Sequence, residues 1–69
     1  MPRRQRQRAE LSRLCEAGAL TRAVDLAFEH FTDFGPDREI VLILAEALDR
    51  TSVPAAVRHR FAELCAELP

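Results

Sequence analysis

The chain has 69 residues, 48% of them hydrophobic and 30% charged, with two Gly and four Pro; this suits one small domain and excludes a disordered, collagenous or linker-like chain. The longest apolar run, Ile40 to Ala45, is far too short for a membrane span, and the N-terminus lacks the apolar middle of a signal peptide, so a cytoplasmic location is expected. The net charge of −1 conceals an asymmetry: residues 1–8 hold Arg3, Arg4, Arg6 and Arg8 with no acid, whereas residues 9–69 hold six Arg against eleven acids.

That asymmetry divides the chain into a basic arm, residues 1–8, and a single small helical domain, residues 9–69. A basic arm on an acidic body either meets phosphate or an acidic protein surface, or is a solvated terminus. All ten basic residues are Arg, which suits bidentate contacts to carboxylate or phosphate and is equally what a GC-rich genome produces.

Helical periodicity runs throughout, and start and stop signals separate four helices. The first is predicted from about Arg4 to Ala17, with Leu11, Leu14 and Cys15 on one face, two polar opening turns, and Gly18 in the left-handed position past its end. The second is predicted from about Thr21, placed as its cap, to Asp33. Its stripe of Leu20, Ala23, Val24, Ala27, Phe28, Phe31 and Phe34 is the clearest core face in the chain; His30 falls on the edge of this helix and is expected to be exposed.

Phe34, Gly35 and Pro36 break the chain. Asp37 then caps a third helix to about Arg50, with Glu39 and Arg50 suiting the helix dipole. Ile40, Val41, Leu44, Ala47 and Leu48 form its stripe, while Leu42 and Ile43 point to the remaining side, so its first half is apolar all round. Either its own chain covers both sides or another chain buries the outer one; a buried strand over Ile40 to Leu44 is the alternative. A fourth helix opens with Pro54 in its first turn and runs to near Leu68, with a core stripe of Val53, Val57, Phe61, Leu64, Cys65 and Leu68. Ala55, His59, Ala62 and Ala66 make a smooth opposite face, suited to close helix approach or simply to high helix propensity.

Cys15 and Cys65 fall on apolar stripes and read as small core residues. Their order with His30 and His59 matches no zinc finger or knuckle, and a disulfide between them requires the first and last helices to lie side by side. No metal or other cofactor is expected. Neither a phosphate-binding Gly-rich loop nor a nucleophile elbow is present, and a 69-residue helical chain has little room for a catalytic pocket, so no enzymatic activity is expected.

A shift of 33 residues superposes Leu11 on Leu44, Ala23 on Ala56, Val24 on Val57, Phe28 on Phe61 and Pro36 on Pro69, with Cys15 on Leu48, Leu20 on Val53 and Phe31 on Leu64. The first unit, with Gly18, Leu20, Ala23 and Ala27, resembles a tetratricopeptide-type helical hairpin, a likeness covering about residues 9–69. The resemblance implies a scaffold that binds peptides or partner helices and has no chemistry of its own.

These features predict an all-α fold of four short helices, arranged as two antiparallel hairpins packed together. Its core is expected to be led by Leu11, Leu14, Leu20, Val24, Phe28, Phe31, Leu44, Leu48, Val57, Phe61 and Leu64. The function expected is a non-enzymatic protein-interaction module, an adaptor or regulator, with a homodimer favoured and no membrane or small-molecule substrate. Leu42 and Ile43 form the leading interaction site and Ala55, His59, Ala62 and Ala66 a second one. The alternative is a small nucleic-acid-binding regulator. It uses Arg3, Arg4, Arg6 and Arg8, with Gln5 and Gln7 beside them, and a helix-turn-helix-like segment 44–61 that carries Arg58 and Arg60.

Overall fold

The computed structural model describes residues 2–69; Met1, the first residue of the basic arm, lies outside them. Four helices account for most of the chain: α1 (Arg3–Glu16), α2 (Leu20–Phe34), α3 (Arg38–Arg50) and α4 (Ala55–Cys65). No strand occurs among the described residues, which removes the strand alternative for Ile40 to Leu44.

Local chemistry sets each boundary. Gly18 takes φ +77°, the left-handed region open to a residue without Cβ. Its N–H donates to the Cys15 carbonyl at 3.1 Å while the Ala19 N–H reaches back to the Leu14 carbonyl at 2.9 Å, the paired bonds of a Schellman turn. This turn needs only Ala17 to Ala19, so α2 begins at Leu20 with Ala19 at its N-cap and no side-chain cap. Thr21 is therefore inside the helix and exposed rather than capping it.

α2 ends on Gly35 at φ +87°, whose N–H donates to the Phe31 carbonyl at 2.8 Å. Asp37 caps α3 as expected, its Oδ1 accepting from the Glu39 N–H at 3.0 Å. Pro54 sits one position before α4, at its N-cap, and the α-helical ladder stops at Cys65 rather than near Leu68.

The helices pair as two antiparallel hairpins, α1 with α2 and α3 with α4, and the hairpins pack with α1 on α3, α2 on α4 and α2 on α3; α1 and α4 do not touch. Leu11, Val24, Ile40, Leu44 and Leu64 are completely or almost completely withdrawn from solvent at the centre, joined by the small Ala23, Ala27 and Ala47. Of the expected core leaders, Leu14, Phe28 and Phe61 are only half-buried at its margin. The radius of gyration is 11.0 Å, against about 11 Å for a folded chain of this length. The exposed area is 4422 Å², against about 4,400 Å² for a folded monomer of this mass. No helix among the described residues is long and apolar enough to cross a membrane.

Candidate functional site

The most organised polar cluster lies where α1 crosses the end of α2 and the loop leading into α3. At its centre is His30, which is 0% exposed, a correction to the expectation of a histidine on the open edge of its helix. Its Nδ1 lies 2.8 Å from Gln7 Oε1 and its Nε2 lies 2.8 Å from Asp37 Oδ2. Both ring nitrogens thus have a partner at hydrogen-bond distance, and turning the Gln7 amide over presents its NH2 to Nδ1, so that one ring N–H is left to serve Asp37.

Asp37 is shared more widely. The Nε and one terminal nitrogen of Arg8 donate to its Oδ2 at 3.1 and 2.8 Å, and its Oδ1 caps α3. Burial alone raises its pKa, but the hydrogen bonds from Arg8 and His30, the Arg8 charge and the Glu39 N–H outweigh this and hold Asp37 below the ordinary carboxylate range. One carboxylate thereby ties α1, α2 and the start of α3 to each other. No buried side-chain nitrogen or oxygen is left without a partner among the described residues.

The Arg-rich stretch is the outer part of this arrangement. Arg3 to Arg8 form the first two turns of α1, continuous with the helical domain. Arg3 donates to Asp33 at 2.8 Å, and the guanidinium groups of Arg3 and Arg4 lie 5.7 and 5.6 Å from the centre of the Phe34 ring. A hollow of about 510 Å³ is lined here by Pro2, Arg3, Arg4, Gln5, Arg8 and Phe34. Arg6 and Arg4 make no hydrogen bond or ion pair among the described residues.

The residues of the helix-turn-helix-like segment behave differently from one another. Arg58 and His59 are exposed, whereas Arg60 pairs with Asp25 at the surface and lies over the Phe28 ring at 4.8 Å, joining α4 to α2. The second basic candidate is thus partly engaged in a surface ion pair within the fold, and the Arg60 guanidinium covers part of Phe28, which is half-buried at the margin of the core.

The two candidate docking faces are also distinguished. Leu42 is 60% exposed, the large hydrophobic side chain that stands out from the surface. Ile43 does not accompany it: successive helical residues are set about 100° apart, and Ile43 packs half-buried against the core. On α4, Ala55, His59, Ala62 and Ala66 are all exposed. A separate apolar hollow of about 240 Å³ lies between α2 and α4, lined by Thr21, Val24, Pro54, Ala56, Val57 and Arg60.

Cys15 is buried, Cys65 is half-buried and both are free thiols; the separation of α1 from α4 leaves no side-by-side packing to bridge them. Burial pushes the Cys15 thiol up, with the Arg50 charge opposing and Glu16 adding to the effect. Among the described residues no group of three His, Cys, Asp or Glu side chains is placed to hold a metal ion.

Gln7, His30 and Asp37 were not grouped from sequence. The available signal was local: His30 follows Ala27 by three and precedes Phe34 by four, within reach of the buried stripe of α2. Comparison of the chain with protein-family models, curated proteins and solved structures finds no match.

Proposed function

We propose that this protein is a small non-catalytic interaction module, an adaptor or regulator that acts by covering a surface of another protein or of a second copy of itself. The observation that carries this reading is Leu42, 60% exposed on the outer face of α3 between the exposed Glu39, Ala45 and Glu46. Burying the remainder of that side chain contributes about 1–2 kcal/mol per chain, enough to anchor an interface but not to constitute one. An ordinary interface of about 800 Å² per partner takes nearly a fifth of the 4422 Å² that the chain exposes, so it must extend from Leu42 onto a neighbouring element. The smooth face of Ala55, His59, Ala62 and Ala66 is a second surface open to a partner.

Two further features support the reading. The His30–Asp37 pair, whose residue types suit general-base chemistry, is sealed beneath α1 and engaged at both ring nitrogens. The stacking of α1 on α3 and of α2 on α4 is the contact pattern that a pair of helical-hairpin repeats makes.

The test is sedimentation velocity of the wild-type chain and Leu42→Asp from micromolar to millimolar concentration. For the favoured homodimer, the wild-type mass rises toward two chains, while the variant stays at one with unchanged helicity. A single-chain mass over the whole range refutes self-association.

A further inference from the structure

The Arg-rich stretch that opens α1 is held to the rest of the fold by ion pairs, a hydrogen bond and cation–π contacts, without a buried apolar side chain of its own. Between Arg3 and Arg8 every residue is Arg or Gln, and the first buried apolar side chain of α1 is Leu11. The attachments are Arg3 to Asp33, Arg8 to Asp37, Gln7 to His30 and the Arg–Phe34 contacts. All but one of these residues beneath the stretch are polar or charged, and His30 among them is 0% exposed, with Gln7 of the stretch 2.8 Å from its Nδ1.

The cations also lie on both flanks of one helix end. Arg3, Arg4 and Arg8 line one hollow with Phe34, and Arg3, Arg6 and Arg13 line a second with Gln7 and with Glu10, whose carboxylate accepts from Arg13 at 2.6 Å. A helix end with guanidinium groups on both flanks suits a groove with phosphates on both walls better than a flat acidic protein surface. Asp33 and Asp37 occupy two of these guanidiniums in the same manner as phosphate would.

We infer that residues 3–8 form an electrostatically latched strap: closed, it commits Arg3 and Arg8 to Asp33 and Asp37 and seals His30; open, it offers the same arginines to the phosphates of a nucleic acid. Ligand binding and uncovering of His30 are then one event. The internal carboxylates keep the strap shut against isolated anions and carboxylate chains, and phosphates presented on the two walls of a nucleic-acid groove displace them.

The salt dependence of binding separates the latched strap from a simple charged surface. If only Arg4 and Arg6, which make no ion pair among the described residues, meet phosphate, the slope of log K against log salt on duplex DNA is about −1.8; with Arg3 and Arg8 released as well it is about −3.6. Between about 50 and 200 mM salt these slopes mean losses of about 12-fold and about 150-fold.

The experiment titrates the full chain with duplex DNA, structured RNA and poly-glutamate in parallel, following affinity and the His30 ring resonances by NMR. The expected result is a slope near the steeper value on DNA or RNA, a His30 shift that tracks saturation, and no comparable effect of poly-glutamate; the stronger arm identifies the polymer. Asp33→Asn is expected to tighten binding by about two- to five-fold beyond Glu29→Gln, which removes the same charge from an exposed position on α2 that makes no ion pair with described residues. No binding at the lower salt, the shallower slope, a motionless His30 at saturation, equal binding of poly-glutamate, or equal effects of the two substitutions each overturn the inference.

Discussion

Replacing His30 by Leu keeps an apolar group of similar size in the fully buried position while removing both ring nitrogens. Two hydrogen bonds of 2.8 Å are lost, one to the neutral amide of Gln7 and one to the carboxylate of Asp37. A neutral bond contributes about 0.5–1.5 kcal/mol and one to a charged group about 1.5–3 kcal/mol, so the expected loss is about 2–4.5 kcal/mol. Asp37 keeps its bonds from Arg8 and the Glu39 N–H, and Gln7 can turn to water, which caps the loss near this range. A domain of this length is stable by only about 3–10 kcal/mol, and the corresponding fall in Tm is about 8–36 °C. Urea and thermal unfolding followed by circular dichroism at neutral pH measure the difference. Gln7→Leu in the wild-type and His30→Leu backgrounds supplies the coupling, expected at about 0.5–1.5 kcal/mol. A His30→Leu protein within about 0.5 kcal/mol of wild type, or strict additivity with Gln7→Leu, refutes the view that this cluster holds α1 in place.

Acid should unfold the protein partly through Asp37. Its folded carboxyl binds a proton less readily than the ordinary value of 3.8, so its contribution is fully present above about pH 4 and disappears as pH falls through the lower folded value. Urea midpoints between neutral and strongly acidic pH should fall more steeply for wild type than for Asp37→Asn, which can still cap α3; parallel curves refute this assignment. The two thiols should also separate: Cys65 is expected to react with a thiol reagent in the native state, whereas Cys15, buried and with its thiol pushed up, reacts only as the protein opens. Labelling of Cys15 should therefore accelerate in His30→Leu, and equal native rates at the two cysteines contradict the packing described.

The helices, their breaks and the Asp37 cap were legible because local chemistry decides them: Gly18 and Gly35 take positive φ, and an Asp before an apolar periodic run finds an unpaired backbone N–H. The central stripe was legible for the same reason, since Leu20, Val24, Phe31, Leu44 and Leu64 recur at helical spacing. What escaped was set by partners distant in sequence. His30 reads as polar by residue type, and only α1 lying across it, with Gln7 from 23 residues away, turns it into a core group. Arg3, Arg8 and Arg60 read as free cations, and only the packed helices show Asp33, Asp37 and Asp25 beside them. Thr21 failed as a cap because the Schellman turn leaves no residue to spare before α2. Leu42 and Ile43 part because, set about 100° apart on the helix, Ile43 packs half-buried against the core while Leu42 stays exposed.

The separation of α1 from α4 has a kinetic side. With no contact required between the chain's two outer helices, assembly never has to close a loop across the whole sequence; the most distant partners, α1 with α3 and α2 with α4, have one helix between them. Loop-closure entropy opposes such steps only weakly, and local topologies of this kind fold on the microsecond-to-millisecond scale. The chain can thus build outward from the α1–α2 turn or from the Asp37 cap, helix by neighbouring helix.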